Sequence, residues 1–326
     1  MELYVKQEIV KTLPSLDAIL LDVDGVILDV AQTFQVVASE VAQLYATKWL
    51  ELEDDGTLFE PLECELFKHA GGFNNDWDLT NAVIALSIAK KAQHPEITTT
   101  SQLRAASPDW VEYTTELKRR GGGLVVAENY ILDIINSHQR RDFARGWNPK
   151  LVTQLFQEMY AGDEACRALY GFQPEHIHGA GYLDKEPVIL DATALPTRPK
   201  FGILTGRIKA ETRIAAQRAG LVERIPETSW VTEDDGIRKP DGEALALLQS
   251  RMNFKTGIYI GDTLDDLRVV QNFKETRAAG KARILSCLVL SGPAGEQNRR
   301  LFLEAGAEIV GPDVNSVLNY LKSVLK

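Results

Sequence analysis

Cysteine is scarce: Cys64, Cys166 and Cys287 are the only three in 326 residues. Thiols so widely spaced make neither a disulfide framework nor a zinc-ligand pattern. They read as small buried hydrophobes in a reducing compartment. Positive charge is also in short supply, with 36 Lys and Arg against 46 Asp and Glu and a formal net charge of −10. That argues against a general nucleic-acid or anionic-membrane binder, which needs a basic footprint. It leaves room for a small anionic substrate, which needs only a local positive site. No apolar run approaches the length of a membrane span. The opening MELYVKQEIVKTLPSLD mixes charges with short apolar groups and has no signal core, so the cytoplasm is the expected location.

What the chain does have is an ordinary globular composition, 44% hydrophobic and 25% charged. Its length suits one large domain or two ordinary ones. The most informative stretch is AILLDVDGVILD, from Ala18 to Asp29. Ala18, Ile19, Leu20 and Leu21 form a continuous apolar run, the pattern of a strand buried on both faces of a parallel sheet. The run ends in Asp22, Asp24 and Gly25. Carboxylates seldom sit at the edge of a core unless paired or bound to metal, and open α/β sheets bind ligands at the carboxyl ends of their strands. On its own, this stretch is equally an ordinary Asp-Gly turn.

From Val30 to about Glu186 the pattern is helix and loop. The spacing predicts helices over Val30–Trp49, Pro61–His69, Thr80–Ala92 (capped by Asp78 or Thr80), Asp109–Arg120, Glu128–Arg141 and Pro149–Ala161. Gly121-Gly122-Gly123 reads as a flexible break, and 163–184 as irregular. From Pro187 onward short apolar strands alternate with helices: Phe201–Leu204, Ser229–Val231, Gly257–Ile260, Ile284–Leu290 and Glu308–Val310. That alternation means βαβ units and a parallel sheet. The expected fold is therefore a Rossmann-like α/β core, residues 1–29 and 187–326, with an inserted, mostly α-helical cap domain, residues 30–186.

Three of the strands end in polar residues at the same relative place: Asp22 and Asp24, then Thr205, then Asp262 and Asp266. In a parallel sheet these ends share one edge. Four carboxylates there repel unless something neutralises them. A hard divalent cation does this, and Mg²⁺ prefers carboxylate oxygens. Lys239, before Pro240, adds a second positive charge.

DVDGV, a strand-final TGR, a KP pair and GDTLDD, in this order, resemble the four motifs of the haloacid dehalogenase superfamily, and the insertion resembles the helical cap of its subfamily I. The resemblance covers the core, about half of the chain. It implies that Asp22 is a nucleophile forming an aspartyl-phosphate and that Asp24 is the general acid and base. It further implies that Thr205 and the Gly206 amide hold phosphate oxygens and that Lys239 steadies Asp22. Asp22, Asp262, Asp266 and the Asp24 backbone carbonyl would serve Mg²⁺, with Asp265 a substitute for Asp266 at a less favoured spacing. An acid at position 24 favours phosphoryl transfer over dehalogenation, since halide needs no proton.

The expected function is Mg²⁺-dependent hydrolysis of a small phosphorylated metabolite, with no nucleic-acid or membrane partner. The alternatives are a phosphomutase on the same core and a non-catalytic binding protein on the same scaffold. Within the insertion, GGFNNDW supplies the candidate substrate contacts Asn74, Asn75, Asp76 and Trp77. Lys68, Arg141 and Arg145 read as solvated helix faces, His176 and His178 as loop residues, and Arg207 as a surface residue at a helix start.

Overall fold

The computed structural model describes residues 2–30, 33–73, 75–292 and 295–325. The chain divides into two compact units, Met1–Ala31 with Glu186–Lys326, and Gln32–Lys185.

The first unit is built on a seven-stranded sheet: β1 (Tyr4–Val5), β2 (Ala18–Leu21), β3 (Lys200–Leu204), β4 (Trp230–Val231), β5 (Thr256–Gly261), β6 (Arg283–Val289) and β7 (Ile309–Gly311). Their order is β1-β7-β6-β5-β2-β3-β4, and only β1 runs antiparallel, against β7. The apolar run of β2 pairs with β3 on one side and β5 on the other, Leu21 standing opposite Ile203 and Ile260. All four residues of β2 are fully buried, as expected of a central parallel strand with both faces covered.

The helices of both units are, in chain order, α1 (Phe34–Lys48), α2 (Cys64–Ala70), α3 (Asp76–Gln93), α4 (Thr100–Ala105), α5 (Trp110–Arg120), α6 (Leu124–Ile134), α7 (Ser137–Gly146), α8 (Pro149–Tyr170), α9 (Lys209–Arg218), α10 (Glu243–Met252), α11 (Leu264–Phe273), α12 (Arg299–Glu304) and α13 (Val314–Val324). The last five belong to the sheet unit. There α10 and α11 pack with Leu245, Leu248, Val269, Val270 and Phe273 against Leu20, Tyr259 and Ile284 of the sheet. The fold is the expected Rossmann-like α/β core with a mostly α-helical insertion.

The inserted unit holds α1 to α8, with no strand among its described residues. Helix α3 is its axis and packs against α1, α6, α7 and α8. It is buried without interruption from Leu79 to Lys90, as a helix surrounded by helices must be.

Several helix boundaries differ from the sequence pattern. Helix α3 begins four residues before Thr80, because Asn75 caps it by accepting the Asp78 amide proton at 2.7 Å. The segment expected as one helix over Glu128–Arg141 is two, separated where Asn136 caps α7 through the His138 and Gln139 amides. Helix α8 runs on past Ala161 with a kink at Gly162, whose φ of 65° breaks the helical conformation. The triple glycine is no free hinge. Gly121 closes α5 in the left-handed conformation, and a Cβ on Gly122 would overlap the backbone of Ala70 and Gly71. All three cysteines are buried free thiols. Among the described residues, no helix is long and apolar enough to cross a membrane.

Candidate active site

Asp22, Thr205 and Asp262 follow strand ends, Asp266 lies in the first turn of a helix, and Lys239 lies in the turn before α10. Asp22 follows β2 directly, and its amide continues the ladder by donating to the Ile260 carbonyl at 2.9 Å. The chain then closes a tight loop in which the amides of Val26, Ile27 and Leu28 all donate to the Val23 carbonyl. Thr205 follows β3 and Asp262 follows β5. Asp266 is the third residue of α11, in a capping box with Thr263.

These ends converge. Oxygen atoms of Asp22, Asp262 and Asp266 all lie within 4.8 Å of one another, and all three side chains are buried. Lys239 Nζ reaches into the group, 2.6 Å from Asp22 Oδ2 and 2.7 Å from Asp266 Oδ1. Asp22 Oδ1 accepts the Val23 amide proton at 2.7 Å. Asp265, the alternative to Asp266, instead pairs with Arg268 at 2.9 Å. Thr205 is buried at the same edge, and its Oγ1 accepts the Arg207 amide proton at 3.2 Å. Gly206 follows it, half-buried.

The three acids differ in their surroundings, and this separates their chemistry. Asp266 is saturated. Its Oδ1 accepts from Lys239 and from Tyr259 Oη at 2.8 Å, and its Oδ2 accepts from the Asp262 and Thr263 amides and from Thr263 Oγ1 at 2.6 Å. Burial raises its pKa, but the Lys239 charge and these hydrogen bonds outweigh burial and hold it below the ordinary value. Asp22 is pushed up to about 7, chiefly by burial, against the pull of Lys239. Asp262 is raised well above its ordinary value by burial and by the charges of Asp266 and Asp22. Among the described residues its carboxylate accepts no hydrogen bond. It is confined on two sides by glycines, since a Cβ on Gly25 (φ +68°) or on Gly292 would overlap its Oδ2.

This donor set fits a hard divalent cation. The donors are carboxylate oxygens close together, one of them without a hydrogen-bond donor, and burial raises the proton affinity of two, which a bound cation would offset. Asp22 and Asp262 are the residues that would hold such an ion. Asp266, with both oxygens engaged, orients Lys239 and the Asp262–Thr263 turn.

Asp24 does not join the carboxylate cluster through its side chain. Its Oδ1 is 2.7 Å from Arg207 Nε. Arg207 is therefore not the surface residue expected at a helix start: its side chain is 2% exposed and lies between Asp24 and the fully buried Glu186. Arg207, Glu186 and Tyr259 are the site residues that sequence reasoning missed. The Tyr259 hydroxyl accepts from Lys239 and lies 2.8 Å from Asp266 Oδ1 and 3.1 Å from the Leu204 carbonyl, its one proton serving either acceptor. An aromatic in a strand reads as core packing, and only its position three residues before Asp262 would have suggested more.

The candidate substrate residues Asn75, Asp76 and Trp77 belong to the helical unit, where they start α3. Asn75 is its cap, Asp76 Oδ1 lies 3.6 Å from Lys68 Nζ, and the Trp77 ring meets the Phe156 ring edge-on. Asn74 lies outside the described residues. His178 pairs with Asp163 at 3.1 Å and His176 stands edge-on to Trp49. A cavity of about 630 Å³ in the helical unit, lined in part by Gln93, His94, Tyr130 and Asn136, contains none of these candidates.

Residues 16–274 match the family model described as haloacid dehalogenase-like hydrolase. Among solved structures, the phosphatase Tt82 from Thermococcus thioreducens is similar at 19% identity, with a TM-score of 0.60, over 94% of this chain and 99% of that one. The X-ray structure of Northeast Structural Genomics Consortium target ZR25 is similar at 17% identity and a TM-score of 0.60, over 95% and 99%. At these identities the likeness is one of fold. No curated protein sequence matches the chain. The family match spans the strand-end aspartates, Thr205 and Lys239 alike, and the chain belongs to the haloacid dehalogenase-like hydrolases.

Proposed function

We propose that this hydrolase is a Mg²⁺-dependent phosphatase acting on a small phosphorylated metabolite through an aspartyl-phosphate on Asp22. The observation that carries the reading is the pairing of Asp22 with Lys239 at 2.6 Å, beside the hydrogen-bond-free Asp262 and two residues before Asp24. A buried carboxylate becomes a useful nucleophile toward a phosphate ester only when the negative charges of both partners are masked. Lys239 supplies part of that masking. Asp22 and Asp262 would hold a divalent cation that would supply the rest by neutralising phosphoryl charge.

The chain's own groups then carry two half-reactions. In the first, an Asp22 oxygen forms a bond to phosphorus, the bond from phosphorus to the leaving oxygen breaks, and protonated Asp24 gives that oxygen its proton. In the second, ionised Asp24 takes a proton from water as the water oxygen attacks phosphorus. The bond to Asp22 breaks, inorganic phosphate leaves, and both aspartates return to their starting states. Thr205 and the Gly206 amide bind the phosphoryl oxygens, and Asp266 and Tyr259 keep Lys239 in place. The substrate class and the choice of Mg²⁺ rest on the family's chemistry and on the oxygen-only donor set. Substrate choice is assigned to the inserted helical unit, with Asn75, Asp76 and Trp77 as its candidate contacts.

The test is phosphate release from a panel of phosphorylated metabolites with Mg²⁺, with EDTA, and with Asp22→Asn in place of the native chain. Release that needs Mg²⁺ and disappears in the variant is expected. No phosphate release, together with bisphosphate-activated isomerisation of a sugar phosphate, would point to a phosphomutase, and the absence of both activities would overturn the enzymatic reading.

A further inference from the structure

Arg207 and Glu186, which adjoin Asp24, have no part in the reaction as described so far. Arg207 is an almost fully buried cation between two carboxylates of the sheet unit. On one side its Nε and Nη2 stand 2.7 and 2.6 Å from Asp24, both at Oδ1. On the other, Nη1 and Nη2 fork onto Glu186 at 3.1 and 2.8 Å. Such bidentate pairing fixes the plane of a guanidinium as well as its position.

The anchor itself is held. Arg218 Nη2 donates to the Glu186 carbonyl. The residues that follow Glu186 are stitched to the loop after Asp24, with Asp29 N donating to the Pro187 carbonyl at 2.9 Å and Ile189 N to the Ile27 carbonyl at 3.0 Å. Arg207 thus links three separate stretches of chain, those following β2 and β3 and the segment beginning at Glu186. A buried ion triad is a poor source of stability, because desolvation offsets most of its attraction. Its consequence here is orientation. Arg207 meets only Oδ1, and the Asp24 side chain remains 32% exposed, so Oδ2 is the oxygen left to exchange a proton.

We propose that Glu186 and Arg207 form a positioning pair for proton transfer: Glu186 locks the guanidinium, the guanidinium locks Asp24 Oδ1, and Asp24 Oδ2 is thereby presented to the leaving oxygen and then to water. This inference rests on the reading of Asp24 as general acid and base. In the first half-reaction the proton on Oδ2 passes to the leaving oxygen as its bond to phosphorus breaks. In the second, Oδ2 recovers a proton from the attacking water.

The experiment compares kcat/KM on an alkyl phosphate, whose leaving group needs a proton, with kcat/KM on p-nitrophenyl phosphate, whose leaving group needs none. It uses the full chain with Mg²⁺, as native protein, Glu186→Gln, Arg207→Met and Asp24→Asn. The expected result is a fall of roughly ten- to a hundred-fold in the alkyl-to-aryl ratio for Glu186→Gln and Arg207→Met. Asp24→Asn should lower that ratio at least as far, and the double variant Asp24→Asn/Glu186→Gln no further than Asp24→Asn alone. If Arg207→Met does not fold, Glu186→Gln keeps the side-chain volume and is read by the same ratio. An unchanged ratio, with both substrates slowed equally or only the melting temperature lowered, would overturn the inference and make the triad structural. Failure of the underlying reading looks different: native protein that hydrolyses neither ester, or an Asp24→Asn variant with the native ratio.

Discussion

Lys239 Nζ stands 2.6 Å from Asp22 Oδ2, although 217 positions separate the two residues in the chain. The same ammonium is 2.7 Å from Asp266 Oδ1. One cation thus serves two buried acids, and both raise its affinity for a proton well above the ordinary value despite burial. Replacing it, as in Lys239→Met, leaves the two carboxylates without their partner. The expected cost is about 3 kcal/mol or more of stability at neutral pH, since removing one member of a buried ion pair strands the other. Urea unfolding of the native chain and the variant at pH 7 checks this, and the loss should shrink at pH 5, where the acids are free to protonate.

The pH dependence of the metal-free chain has a defined sign. Asp22 is raised from 3.8 to about 7, first by burial and then by the charges of Asp266 and Asp24, with Lys239 opposing. Between these values the folded chain holds a proton that the unfolded chain has released. The contribution of Asp22 to stability therefore falls as pH rises through that window and levels off above it. In EDTA, the native chain should lose stability relative to Asp22→Asn between pH 4 and pH 7. Added Mg²⁺ should stabilise the native chain more at pH 8 than at pH 5, because it binds the ionised form. Thermal melts at these pH values, with and without Mg²⁺, read both effects.

Gly25 is required by contact as well as by conformation. Its φ is +68°, and a side chain there would run into Asp262 Oδ2. Gly25→Ala should weaken Mg²⁺ binding by displacing that carboxylate and should cost about 1 kcal/mol in backbone strain. Titration calorimetry with Mg²⁺ separates the first effect from the second.

Tyr259→Phe removes one hydroxyl and keeps the ring. The single hydroxyl proton that serves Asp266 Oδ1 at 2.8 Å and the Leu204 carbonyl at 3.1 Å is lost, with an expected cost of about 1–2 kcal/mol. The hydrolytic rate should fall less than in Lys239→Met, since Lys239 retains both of its acids. Steady-state kinetics of the two variants side by side measure the difference.

Much of the core was legible because buried parallel strands are short apolar runs with abrupt polar ends. Ala18–Leu21, Phe201–Leu204 and Gly257–Ile260 were found this way, and the parallel order then put Asp22, Thr205 and Asp262 on one edge. The helical unit was less legible. Helix α3 is buried on all sides from Leu79 to Lys90, so no amphipathic stripe marks its start, and the sequence pattern begins it at Thr80 although Asn75 caps it and Asp76 and Trp77 open it. Arg207 was missed for a different reason. An arginine at a helix start is ordinarily solvated, and its burial depends on two carboxylates, Asp24 and Glu186, that are remote in the chain. Tyr259 was hidden by its ring, which packs like any core aromatic while its hydroxyl joins the polar cluster.

The central claim is a covalent phosphoryl group on Asp22. It is tested most directly in Asp24→Asn, which keeps the nucleophile but lacks the base for the second half-reaction. That variant, mixed with Mg²⁺ and p-nitrophenyl phosphate, quenched in acid and digested, is read by peptide mass spectrometry. The account predicts one added phosphoryl group on the peptide containing Asp22, absent when Asp22→Asn is introduced as well. A protein that releases phosphate natively, yet carries the group on another residue or on none in this trap, would contradict it.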